Sequence, residues 1–163
     1  MYEKAEDQVE SFRKAVENLF TDIESWLSPS PLKTRREEIQ INEEASGAYT
    51  IQKLLIEDAS GKKIAELVPV AAFVVSADGR VDLNGRYDKA IIFYEEAGGL
   101  SLTTSITNDG RTETSRVSLF KGIDKKGWYY IGDALLGRAH FVDKELFFDL
   151  LEGVSDYVIE KRS

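Results

Sequence analysis

Residues 49–85 read YTIQKLLIEDASGKKIAELVPVAAFVVSADGRVDLNG. Short apolar runs here are punctuated by Asp58-Ala59-Ser60-Gly61, Asp78-Gly79 and Asn84-Gly85. Asp-Gly and Asn-Gly suit the tight turns of hairpins, whose central residues need positive φ. The stretch therefore predicts consecutive antiparallel strands: Tyr49 to Glu57, Lys62 to Val68, Val70 to Val75, and a short alternating strand from Arg80 to Leu83. Val70–Val75 is continuously apolar, which predicts a central strand covered on both faces.

Downstream the same grammar continues. Ala90 to Tyr94 is another continuous apolar run, stopped at Gly98-Gly99. Leu100, Leu102 and Ile106 alternate with Ser101, Thr103, Ser105 and Thr107, the pattern of a strand with one wet face. Asn108-Asp109-Gly110 turns the chain and Thr112 to Phe120 returns beside it. Trp128 to Ile131 is the last expected strand, and no proline follows Pro69.

Helical periodicity lies on either side. Val9, Phe12, Val16, Leu19, Ile23 and Trp26 recur at spacings of three and four, with Phe20 and Leu27 widening the stripe. This predicts a helix over residues 1–27, ended by Ser28-Pro29-Ser30-Pro31. Residues 28–47 read as a charged linker, Arg35-Arg36-Glu37-Glu38 mixing both signs. The final helix is expected over 143–161, with Asp143 as N-cap, Leu146, Phe147, Leu150, Leu151, Val154 and Val158 inward, and Lys161 and Arg162 at the end where the dipole favours cations. Gly153 would weaken it and mark close packing. The expected architecture is α+β in one domain, 1–163: an N-terminal helix, an antiparallel meander of about seven or eight strands over 48–132, open or curled, and a C-terminal helix.

The 163 residues include no cysteine and one histidine. That excludes disulfides, thiolate zinc sites and cysteine nucleophiles, and favours a reducing, cytoplasmic setting. Met1 to Glu10 is acidic and unlike a signal peptide, and the longest apolar stretch, Val68–Val75, is too short to span a bilayer. The net charge is −8. Residues 1–44 hold 11 acids and 6 bases, residues 141–163 hold 6 and 3, and the middle is neutral. Nucleic acid and anionic membranes are therefore not expected as partners.

No motif declares a chemistry. Asp78, Asp82 and Asp88 are the weak candidates for an all-carboxylate metal site, but the calcium-loop spacing fails and aspartates are ordinary turn residues. His140 is the only base available to a serine nucleophile, and no Gly-x-Ser-x-Gly elbow exists. Gly61-Lys62-Lys63 lacks the rest of a phosphate loop, and no helix follows the other glycines as a dinucleotide fingerprint requires. Trp128, Tyr129 and Tyr130, after Lys121, Lys125 and Lys126, have the composition of a base-stacking platform, but alternation sends them to opposite faces of a strand. No cofactor is expected, and the balance leans against an enzyme. The reading that remains is a non-catalytic protein-interaction domain, an inhibitor, immunity-type protein or accessory subunit. Its partner would be another protein or a second copy, met through Phe12, Phe20, Trp26 and Trp128. A carboxylate-based, metal-dependent hydrolase and a small-ligand binder using a curled sheet are the alternatives.

Overall fold

The structure, a computed structural model, describes residues 4–75, 77–96, 101–108, 110–118, 123, 125–133 and 138–159. The elements run α1 (Ala5–Leu27), β1 (Lys33–Glu43), β2 (Gly47–Glu57), β3 (Lys63–Ala71), β4 (Gly79–Gly85), β5 (Lys89–Glu95), β6 (Ser101–Asn108), β7 (Arg111–Ser118), β8 (Gly127–Asp133), β9 (Arg138–Phe141) and α2 (Lys144–Ser155). Seven strands form one open antiparallel sheet in the order β1-β2-β3-β4-β5-β8-β9, while β6 and β7 pair as a separate hairpin. This is the α+β meander read from the sequence, open rather than curled.

Both helices join one core with the sheet. On α1, Val9, Phe12, Val16, Leu19, Phe20, Ile23 and Leu27 are buried, as is Ala15. They meet Leu54, Leu67, Leu83, Ile92 and Trp128 from the strands and Phe147, Leu151 and Val154 from α2. Trp26 of α1 lies 5.8 Å from Phe147 of α2, ring centre to ring centre. The buried Trp128 indole donates to the Ala15 carbonyl at 3.1 Å, pinning α1 to β8. A smaller cluster of Ile123, Tyr129 and Ala139 is separate from this core.

Several expectations are corrected. Residues 33–43, read within a linker, form an 11-residue edge strand paired along its length with β2. Ile41 is its only buried residue, so it shows no apolar alternation. Arg36 is its anchor: its guanidinium donates to Glu24 at 2.8 and 3.0 Å, pairs with Glu17 and lies over the Phe20 ring.

The apolar run 70–75 is not a central strand. β3 ends at Ala71, after a register shift between Pro69 and Ala71, and Val75 is 93% exposed. The backbone there is satisfied by side chains. Glu43 accepts from the amides of Ala72 at 2.9 Å and Phe73 at 3.1 Å and from the Tyr49 hydroxyl, while Gln8 donates to the Ala72 carbonyl at 2.6 Å. Ala90–Tyr94 does lie in a central strand, β5, but it alternates, with Ala90, Ile92 and Tyr94 buried and Ile91 and Phe93 half-buried.

α2 ends at Ser155, and Asp156 follows in the left-handed region with φ of 61°. Asp143 caps its start by accepting from the Leu146 amide at 2.9 Å. Val158, expected inward, is 71% exposed, and a methyl on Gly153 would meet nothing within 4 Å. Lys161 and Arg162, like Gly98-Gly99 and Lys121, lie outside the described residues.

Candidate functional site

The sequence candidates disperse. Asp82, on β4, is buried and held by Arg80 in a two-pronged ion pair at 2.8 and 3.0 Å. Asp88 is exposed in the β4–β5 turn and accepts from the Lys89 amide. Asp78 precedes β4 at the strand's other end. No group of three metal-ligating side chains converges among the described residues, and Asp78 and Asp88 lie at opposite ends of β4. His140 is exposed on β9, opposite Tyr130.

The aromatic candidates for a partner surface belong to the chain's own core. Phe12, Phe20 and Trp128 are 1%, 0% and 7% exposed, and Trp26 is half-buried against Phe147. Phe12, Phe20 and Trp128 are thus core residues, while Trp26 keeps part of its surface exposed beside Phe147. Of the stacking trio, Trp128 and Tyr129 are buried and Tyr130 is half-buried; the Tyr129 hydroxyl donates to the Lys125 carbonyl at 2.7 Å.

Two other places gather chemistry. The first is the junction where β5 ends. Glu95 is buried, and its Oε1 has no hydrogen-bond partner. Asp78 donates its amide to the Tyr94 carbonyl at 2.7 Å and accepts from the Glu96 amide at 3.0 Å. Burial, and then the adjacent Asp78, push the Glu95 carboxyl up to about 7. Burial also raises Asp78, with Glu96 adding to it and the amide bond opposing it. Burial and these carboxylates raise the Tyr94 phenol. Glu95 follows Ile91 and Phe93 on the alternate positions of a central strand. That placement was the available sequence signal for a carboxyl inside a sheet, and the Glu95-Glu96 pair by itself concealed it.

The second is a groove of about 910 Å³ beside α1, lined by Glu10, Arg13, Phe20, Glu38, Gln52 and Glu96 among others. It lies along the helix rather than within a curled sheet. Arg13 is committed there, donating to the Thr50 carbonyl at 2.9 Å and pairing with Glu10 at 3.2 Å.

The charge distribution acquires a geometry. α1 holds six acids and two bases, and α2 three acids and one base. The helices, from opposite ends of the chain, pack together through Trp26 and Phe147 and carry −6 of the net −8. Glu6, Asp7, Glu10, Glu17, Asp22, Glu145 and Asp149 are exposed. None of the described helices is long and apolar enough to cross a membrane.

Comparison of the chain with protein-family models, curated proteins and solved structures finds no match in any of the three.

Proposed function

We propose that this chain is a non-catalytic protein-interaction domain of the inhibitor, immunity or accessory-subunit type, and that its acidic helices meet a basic protein partner. The observation carrying this reading is that two sequence-remote helices, which touch through the Trp26 and Phe147 rings, hold −6 of the net charge of −8. A concentrated field of one sign accelerates and selects association with the opposite sign. The interaction resides in surface carboxylates rather than in the buried aromatic stripe. A second copy is the less favoured partner, since like-charged helices repel. The lack of cysteine supports a cytoplasmic setting.

The test is capture on the immobilised full chain at low and high salt, beside an E6Q/D7N/D22N variant. These three carboxylates are exposed and enter none of the ion pairs described above. The expected result is a basic protein held at low salt, released at high salt and lost with the variant. Capture indifferent to both changes would reject the acidic helices as the binding surface.

A carboxylate-based hydrolase is the second reading. Glu95, neutral in part near pH 7 beside Asp78, is the kind of pair that supplies a general acid. Against it, the groove is lined by Glu96 and not by Glu95 or Asp78.

A further inference from the structure

We propose that the Asp78–Glu95 carboxyl pair is a proton-operated latch at the junction of β4, β5 and β8, closed while the pair keeps a proton and loosened when both carboxyls are charged. Glu95 is the last residue of β5 and faces Gly127, the first residue of β8. Gly79, the first residue of β4, pairs with Tyr94. Asp78 and Glu95 thus stand where three neighbouring strands start or stop.

Among the described residues no cation pairs with either carboxyl, and the only opposing charge acting on Asp78 is that of the chain's N-terminus. On β5 the neighbour is the Tyr94 phenol, and just beyond the strand is Glu96, whose carboxylate accepts from Ser11 of α1 at 3.3 Å. The basic residue of β4, Arg80, is committed to Asp82. Before β8 come Lys125, whose ammonium sits 4.0 Å from the centre of the Phe141 ring, and Lys126, at the groove. Among the described residues neither Asp78 nor Glu95 makes an ion pair. An ionised Glu95 would be a buried charge with an orphaned oxygen beside a second carboxylate, and proteins avoid that state by keeping the proton or moving the group.

The sign follows from linkage. A carboxyl whose folded value is raised to about 7 holds its proton in the folded state after the unfolded chain has lost it. Its stabilising contribution is complete below the unfolded glutamate value and declines as pH rises toward 7. The β5–β8 pairing at Glu95 and Gly127 is where the strain of ionisation falls. Because β5 is the strand from which the chain departs toward the β6–β7 hairpin, loosening it frees the base of that excursion.

Three measurements test the latch. In a carboxyl-carbon NMR titration of the wild-type protein, Glu95 is expected to titrate near 7; a midpoint in the ordinary glutamate range overturns the proposal. In denaturant unfolding, the wild-type unfolding constant is expected to rise on the order of a hundredfold from pH 5 to pH 8, with E95Q removing most of that rise. A flat or opposite wild-type dependence, or the full dependence surviving in E95Q, overturns it. Amide protection at 92–95 and 127–130 is expected to fall from pH 6 to pH 8 in the wild type and to hold in E95Q. Unchanged wild-type protection overturns the local loosening. Should E95Q fail to fold, the wild-type titration and protection data decide alone.

Discussion

At the scale of single residues, glycines that look alike in sequence do different work. Gly110 has φ of +76° and open space around it; it is a turn glycine in the sense its Asn-Asp-Gly context suggests. Gly85 has no such φ. A methyl there would lie 2.2 Å from the Val154 carbonyl oxygen, the acceptor for the Tyr87 and Asp88 amides at 3.0 and 3.3 Å. The end of α2 is thus seated on the β4–β5 turn, and Gly85 is the space it needs. Gly79 makes similar room for the Phe12 ring. Gly110→Val is expected to cost about 1 kcal/mol through backbone strain. Gly85→Ala should cost more, about 2–3 kcal/mol, because backbone must move. Urea unfolding checks both, and equal costs would contradict the close approach. Glu43 offers a second case. Glu43→Ala orphans two amides and the Tyr49 hydroxyl, and should lower stability by about 2 kcal/mol in the same assay. A change under about 0.5 kcal/mol would show that water replaces the carboxylate easily.

Among the elements, α1 contributes most to the core. Its seven large buried side chains are each worth about 1.5–3 kcal/mol on burial, together as much as the whole stability of an ordinary domain. A chain lacking residues 1–31 is therefore expected to be unfolded or aggregated by circular dichroism and light scattering. A folded monomer would place the core elsewhere. This helix was legible because seven of its eight large stripe residues are buried where period 3.6 puts them. The N-cap of α2 was legible for the same local reason. β1 was not, since an edge strand with one buried residue has no amphipathic signal, and its charges are what guards such an edge. Nor was the end of β3: side chains remote in sequence, Gln8 and Glu43, take the backbone groups that a strand would have used. The site was less legible still. Whether Asp78, Asp82 and Asp88 converge depends on which end of β4 each occupies, and the burial of Glu95 depends on what lies over the sheet. Neither is a local property.

For the whole molecule, the order β1-β2-β3-β4-β5-β8-β9 means that every neighbour in the sheet is the next strand in the chain except at one step, from β5 to β8. The hairpin β6–β7 leaves the sheet at that step and the chain rejoins it at Gly127. Replacing residues 101–118 by a short flexible link, with Ile123 and Lys125 retained to cover Tyr129, should leave a monomer that still unfolds cooperatively. Its urea midpoint should be near that of the parent, with a slightly smaller denaturant slope for the smaller chain. Collapse of the midpoint would show that the hairpin belongs to the core. On the expected outcome, the break in sequence order between β5 and β8 is an insertion point. Segments of other lengths could then be carried there without disturbing the register on either side. Duplicated copies of this chain could diverge at that step, acquiring new binding loops on an unchanged frame.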